Sequence, residues 1–278
     1  MRLKSFLQYF GSKSRLTKIL KLFLPLDMNR INSVVSPFFG SGAFEYYIIE
    51  HYPHIKLKGY DIESTLVNYH RCMIDDPKRL YLKIKEMIDH VLSKEEFTQY
   101  KDELKASTIT EQNRFYFAAI LYGLSRNSYS GKMMSYAKKN KVTSIESMRD
   151  YSFNSPDSRY GHIDLSVNNC FSVLEDKSLR DNPKTLIYLD PPYYIDRKPL
   201  LNHYGITSAQ KTFDHHRLFE CLKKIKTKWI LSYNHSNYII HLYSGYNIYM
   251  KDTHYLRYSP DKTYSDTFTE VIITNYSR

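Results

Sequence analysis

At 278 residues the chain is long enough to bury a full α/β core, with one catalytic domain and room for a smaller insertion. Lys and Arg number 40 against 29 Asp and Glu, and the formal net charge of +11 suits a polyanionic partner and steers it electrostatically. No apolar run reaches transmembrane length, no basic amphipathic stripe marks a membrane-surface helix, and residues 1–7 are cut short by Gln8 and Lys13 before they read as a secretory signal.

In chain order, residues 16–24 read as a helix and Val34-Val35 as the start of a strand. Ser36-Pro37-Phe38-Phe39-Gly40-Ser41-Gly42 follows as a tight turn into an apolar helix over residues 43–51. Gly40 and Gly42 permit positive φ and let a ligand approach the backbone closely. Two glycines after a strand are common in α/β turns, and no third completes the G-x-G-x-x-G dinucleotide spacing. The next strand, residues 55–60, ends in Asp61, roughly twenty residues on, where an acid is placed to accept from a ribose diol. The same Asp61 also reads as a helix N-cap with Glu63 and Thr65 behind it, and the two roles are compatible.

A helix through Tyr69 and Met73 then runs to Asp75-Asp76-Pro77, a helix stop. From residue 77 to 164 the character changes. Amphipathic helices are expected over 80–92 and 97–104, then an aromatic helix at Phe115, Phe117 and Tyr122. A polar, basic, loop-rich stretch follows, interleaved with Tyr129, Tyr136, Tyr151 and Tyr160. It carries the residue types of a nucleic-acid surface. Arg126 and Asn127 can read base edges, Lys132, Lys138 and Lys139 can meet phosphates, and Tyr129 can wedge into a stack. A merely solvated lid is the alternative. The α/β pattern resumes at Leu165, so a domain of residues 1–76 and 165–278 is interrupted by a mostly helical insertion at 77–164.

Leu186-Ile187-Tyr188-Leu189 is a buried parallel strand that delivers Asp190-Pro191-Pro192-Tyr193 at its carboxyl end, where ligands sit in open α/β sheets. Two prolines fix φ twice and remove two N–H donors. An acidic acceptor, free carbonyls and a flat ring in one stiff turn suit the grip of a planar amino group. A strand followed by a Pro-Pro turn with an exposed Tyr is the bland alternative. The isolated Cys72, Cys170 and Cys221 form neither a zinc knuckle nor a disulfide frame, and imply an intracellular, reducing compartment with no metal.

Taken together these residues resemble the α-type (Dam-like, D12 class) DNA adenine-N6 methyltransferases, with F-x-G-x-G and D-P-P-Y motifs. Gln8-Tyr9-Phe10-Gly11-Ser12-Lys13 is similar to the family's N-terminal Y-x-G-x-K element, and Ser36 to Gly42 to its methionine-side loop. Asp61 resembles the ribose acid, and Asp190-Pro191-Pro192-Tyr193 the catalytic loop. Leu231-Ser232-Tyr233-Asn234 resembles a post-catalytic strand end, and Thr269-Glu270-Val271-Ile272-Ile273-Thr274-Asn275-Tyr276 the closing strand, in the family's order. One position departs: Ser36 stands where the family usually has an acid, so its contact to the cofactor carries no charge.

The resemblance implies a Rossmann-like α/β sheet dependent on S-adenosylmethionine, with a helical inserted target-recognition domain that binds double-stranded DNA. It implies cofactor contacts from Tyr9, Gly11, Lys13, Pro37, Phe38, Gly40, Gly42, Asp61 and Asp190. Phe171 is expected to flank the cofactor adenine or to pack in the core. Tyr193 would stack on a flipped adenine while Asp190 and the Pro191 carbonyl, with Pro192 stiffening the turn, accept the amino hydrogens. Two other readings stay open: another planar amine, cytosine N4 or RNA, as substrate, and a silent DNA-binding protein of the same fold.

Overall fold

The structure, a computed structural model, describes residues 6–7, 16–88, 90–128, 131, 133, 135–137, 148, 161–194, 212–258 and 263–277. Seven strands interleave with helices among the described residues, a mixed α/β fold of Rossmann-like type. The chain divides into two compact units, Met1–Lys18 with Phe39–Asn169, and Ile19–Phe38 with Cys170–Arg278. Helix α1 (Thr17–Leu20) continues only as the 3-10 turn Lys21–Phe23. The helix expected over 16–24 stops there because Leu24 takes φ −60° and ψ 143°, the extended geometry that the following Pro25 imposes.

The strands of the second unit are β1 (Ser33–Ser36), β4 (Thr185–Leu189), β5 (Lys228–Asn234), β6 (Asn247–Tyr258) and β7 (Thr263–Thr274). They run in the order β1-β4-β5-β7-β6. The first three are parallel, with Val34 opposite Leu186 and Leu189 opposite Leu231. Strand β7 then pairs antiparallel with β5, Glu270 opposite Asn234, and β6 closes the edge. All of β4 is buried, as a parallel strand covered on both faces must be, which is why it reads as an unbroken apolar run. Helices α7 (Cys170–Leu174), α8 (His215–Leu222) and α9 (Asn237–Leu242) complete this unit. Asp214 caps α8 by accepting from the Arg217 N–H at 2.8 Å. The start of β5 is tied down by Lys228, whose Nζ lies 2.6 Å from Asp27.

In the first unit β2 (Lys56–Asp61) and β3 (Ile163–Val167) pair in parallel, Asp61 opposite Val167. Around them are α2 (Ala43–His51), α3 (Ser64–Asp75), α4 (Pro77–Met87), α5 (Lys94–Lys105) and α6 (Arg114–Arg126). The Asp75-Asp76-Pro77 stop is also a start. Asp76 accepts the Arg79 N–H at 2.9 Å and Pro77 opens α4, three residues earlier than the apolar periodicity places it. A reciprocal Ser93 and Glu96 capping box starts α5. Helix α6 is buried nearly all round. Its Phe117, Ile120 and Leu124 join Phe97 in a cluster against which Met87, Tyr100 and Leu104 pack. The helices of 77–126 thus share one compact unit with β2, α3 and β3.

Gly59, in mid-β2, has no turn to make; it is small because Phe39 lies on it. A Cβ there would stand 2.4 Å from Phe39 Cδ2 and from Leu165 Cδ2. Phe39 cannot easily yield, since its ring meets Tyr46 edge-on at 5.9 Å and His70 at 4.9 Å. Gly59→Ala is therefore expected to destabilise the protein by about 1–3 kcal/mol, read as a lower urea midpoint at unchanged slope. An unchanged midpoint would mean that Phe39 is not held as described.

Candidate active site

The glycine turn of the first unit is held from both sides. Gly40 donates its N–H to Asp61 Oδ2 at 2.8 Å, and its carbonyl lies 3.0 Å from His70 Nε2. His70 Nδ1 lies in turn 2.8 Å from the Tyr46 hydroxyl. A carbonyl oxygen only accepts, so Nε2 carries the proton and Nδ1 accepts from Tyr46. Burial holds the His70 pKa down to about 4, so the ring is neutral and keeps that single tautomer.

The two glycines differ in what they permit. Both have positive φ, 52° at Gly40 and 68° at Gly42. A Cβ at Gly42 would meet the rings of Phe39 at 2.6 Å and Tyr46 at 2.8 Å, whereas one at Gly40 would meet nothing within 4 Å. Gly42 is thus demanded by packing as well as by its backbone, and Gly40 leaves its backbone open to approach.

Asp61 ends β2 and is not the N-cap of α3. That position belongs to Glu63, and Asp61 acts from two residues earlier, its Oδ1 accepting the Glu63 N–H at 3.0 Å. Burial pushes its pKa up, while the N–H groups of Glu63, Gly40 and Ile62 draw it back. Glu63 is also raised, by burial and then by the charge of Asp61. A perturbed acid at a strand end beside an open glycine backbone marks a candidate ligand site.

In the second unit Ser36 and Pro37 are buried at the end of β1. Phe38 meets Phe213 edge-on at 5.7 Å, and Phe213 stacks on Phe171 at 5.6 Å. The Arg217 guanidinium lies 4.3 Å from the centre of the Phe171 ring and pairs with Glu175 at 2.9 Å. Phe171 is therefore part of an aromatic and cation stack.

The Asp190-Pro191-Pro192-Tyr193 loop leaves the end of β4 and is gripped by side chains of β5 and β7. Ser232 donates to Asp190 Oδ1 at 3.1 Å, Asn234 Nδ2 donates to the Tyr194 carbonyl at 3.0 Å, and the Tyr193 hydroxyl donates to Glu270 Oε2 at 2.6 Å. Burial, then the neighbouring carboxylates of Asp190 and Glu270, push the Tyr193 phenol well up, so it stays a protonated donor. Behind the loop Tyr194 stacks on Tyr238 at 4.5 Å and meets His215 edge-on. His215 Nδ1 lies 2.8 Å from the Tyr233 hydroxyl, and burial holds this histidine too at about 4.

Of the residues expected at a DNA surface, Arg126 closes α6 with its guanidinium 5.5 Å from the Tyr122 ring centre. Asn127 is buried, and its amide donates to the Gly123 carbonyl at 2.9 Å, so it serves the helix end. A base contact there requires that end to open. Tyr136, expected among the interleaved loop aromatics, packs on the Phe97 cluster and donates to the Leu92 carbonyl at 2.8 Å. Tyr9, Gly11, Lys13, Tyr129, Lys132, Lys138 and Lys139 lie outside the described residues. Among the described residues no helix is long and apolar enough to cross a membrane.

Comparison with known proteins bears on both loops. The D12 class N6 adenine-specific DNA methyltransferase family matches residues 9–256. The chain belongs to that family. It is also 24% identical to the type II methyltransferase M.MjaIII of Methanocaldococcus jannaschii, over 89% of this chain and 90% of that protein. Among solved structures it is similar to precorrin-8w decarboxylase of Methanobacterium thermoautotrophicum, with TM-score 0.39, 7% identity and 97% of each chain covered. It is similar too to the methyltransferase domain of bacterial CtHen1, with TM-score 0.36, 10% identity, and 94% and 98% covered. Likenesses at that level say nothing about substrate. Family membership makes this chain a DNA methyltransferase of the adenine-N6 kind.

The residues that hold the two loops lack a sequence signal of their own. His70 and Tyr46 are helical residues like their neighbours, and only the fold brings them under Gly40. Ser232 and Asn234 stand in a recognisable strand end and Glu270 in the closing strand, yet nothing in the strands names their partners.

Two neutral buried histidines have a measurable consequence. The native rings take up a proton only near pH 4, whereas an ordinary histidine does so at 6.5. Between those values the unfolded chain binds more protons, so stability falls as the pH falls through that window, by up to about 3 kcal/mol for each ring. Urea unfolding at pH 7 and at pH 4.5 should show the loss, and His70→Gln should remove roughly half of it. A variant with the same pH slope as the parent would deny His70 its neutral, carbonyl-bonded state.

Proposed function

We propose that this chain transfers a methyl group from S-adenosylmethionine to N6 of a flipped adenine at a specific site in duplex DNA. The observation that carries the reading is Asp190 at the end of β4, oriented by the Ser232 hydroxyl within a loop whose two prolines offer no donors. A carboxylate so held has lone pairs for a further donor. An exocyclic amino group supplies one hydrogen to Asp190 and one to a loop carbonyl, while the ring of Tyr193 offers its face to the base. Acceptors set out of the ring plane would draw the hydrogens with them and localise the N6 lone pair; the N–C bond would then form as the S–CH3 bond breaks, the sulfonium leaving as a neutral thioether and one amino proton passing to Asp190. Most of the rate then comes from orientation and fixed electrostatics. A base inside a duplex cannot reach such a loop, so the target must be extruded.

The residues fit the cofactor on two counts. The Asp61 carboxylate ends β2 with capacity beyond its backbone partners, enough for ribose hydroxyls, and the Gly40 backbone beside it is open. When bound, S-adenosylmethionine supplies an electrophilic sulfonium methyl. Tyr9, Gly11 and Lys13 are assigned to the same task by resemblance alone. For Phe171 the stack with Phe213 and Arg217 favours packing over a cofactor contact. Residues 77–164 we read as the target-recognition part, with Arg126, Tyr129, Lys132, Lys138 and Lys139 as its DNA contacts, joined by Asn127 where the end of α6 opens; the net charge of +11 supports a duplex partner.

Calorimetry tests the cofactor assignment. Asp61→Ala should weaken binding of S-adenosylmethionine by about 1.5–3 kcal/mol, the worth of hydrogen bonds to a charged group. Asp61→Asn, which keeps one acceptor oxygen, should lose less. Parent protein that gives no heat with S-adenosylmethionine or its demethylated product, but binds NAD or ATP, would sink it.

Asp190→Ala tests the chemistry. Transfer of labelled methyl to unmethylated genomic DNA should collapse, while cofactor and DNA affinity change little, the pattern of an interaction made mainly in the transition state. Near-normal methylation of adenine by this variant would remove the loop from the mechanism.

A further inference from the structure

Glu270 lies on β7, opposite Asn234 of β5, and is only 5% exposed. A carboxylate taken out of water at a strand position is unfavourable unless strongly hydrogen-bonded. Among the bonds it makes is the short one from the Tyr193 hydroxyl, 2.6 Å to Oε2. That length is typical of a charge-assisted O–H···O⁻ bond. Tyr193 follows two prolines and cannot be locked by the backbone donors they lack. Its ring meets Tyr233 obliquely, centroids 6.3 Å apart and planes at 41°, a contact on one side of the ring. The hydroxyl bond adds a directional restraint at the other end. It pins the far end of the ring to the rigid sheet while Ser232 and Asn234 pin the loop at Asp190 and Tyr194.

We propose that Glu270 is a positioning residue for methyl transfer, its carboxylate holding the hydroxyl of Tyr193 so that the ring face is presented in one orientation to the substrate base. The proposal rests on the reading of the Asp190 loop given above. It assigns a task to the hydroxyl of Tyr193, which stacking alone does not use. Stacking needs only the ring face; the hydroxyl bond decides where that face points. The ring then does not have to be ordered when the base arrives, which is the advantage of a preorganised site.

The test uses the full chain, S-adenosylmethionine carrying a labelled methyl, and unmethylated genomic duplex DNA as probe. Tyr193→Phe keeps the ring and removes only the hydroxyl, and should lower kcat by about 10- to 100-fold with cofactor affinity unchanged. Glu270→Ala should lower it by a similar factor. Glu270→Gln retains an acceptor oxygen and should restore kcat to within about threefold of the parent. The double variant Tyr193→Phe, Glu270→Ala should be no slower than the slower single variant, because both changes break one bond. Multiplying effects would show that Glu270 acts elsewhere and overturn the proposal. So would Tyr193→Phe turning over at the parental rate, a result that does not depend on whether the Glu270 variants fold. The Asp190→Ala control separates the two levels: if it still methylates, the loop assignment itself fails. If it is silent while Tyr193→Phe is fully active, only the role of Glu270 fails.

Discussion

Two adjacent prolines cannot hold their own loop. Pro191 and Pro192 remove two backbone donors at the end of β4, where the chain must nevertheless keep a carboxylate and an aromatic ring in fixed places. The sheet supplies what the loop lacks. Ser232 and Asn234 reach it from the last residues of β5, and Glu270 from within β7. The antiparallel pairing of β7 with β5 sets Glu270 opposite Asn234, so a change in that register would move both grips together. Stiffness of the turn is therefore a property of three strands rather than of the four residues that catch the eye.

The glycine turn of the other unit solves a similar problem with different groups. Gly40 has a left-handed backbone and no side chain to anchor, so both of its peptide groups are taken up by side chains, N–H by Asp61 and C=O by His70. Asp61 thereby has two tasks, since the oxygens that would meet a ribose also close the turn. His70 is suited to its place because it is neutral: a protonated ring would present a donor at Nδ1 to a Tyr46 hydroxyl that now donates, and would place a charge in a dry environment. Both loops are shaped by polar groups from neighbouring elements, and each has a buried imidazole near it that stays uncharged.

How much of this is legible in the sequence follows from what a linear pattern can encode. Strand β4, the helix over 43–51 and the strand ending in Asp61 are written in local periodicity and in glycine and proline punctuation, and they lie where that pattern puts them. Helix ends are less legible. Asp76 and Pro77 start α4 before its apolar stripe begins, and Pro25 ends the first helix before its own stripe does. The local partners of Asn127 and Tyr136 are not legible from composition. Their polar and aromatic chemistry suits a nucleic-acid surface, yet one is folded back on α6 and the other onto Leu92. The motif residues Gly40, Asp61, Asp190 and Tyr193 stand out in the chain, but the side chains that aim them do not, because those contacts join residues tens of positions apart.

That separation bears on how the site tolerates change. Residues touching the reacting groups are few and of fixed type, whereas the holding groups need only supply an acceptor or donor at the right distance. Ser232 could give way to Thr, or Glu270 to Gln, and still present an oxygen to the loop; at Asp190 an amide would likewise keep one acceptor oxygen but would lose the charge and the capacity to take a proton. Ser36 fits the same logic. It is fully buried at the end of β1, where a carboxylate would be costly to desolvate, and a hydroxyl there keeps a hydrogen-bonding group without a charge to bury. A hydroxyl there in place of a carboxylate exchanges a stronger, charged contact for a strand end that folds at lower cost, and under the proposed function it leaves Asp61 as the acid that faces the cofactor.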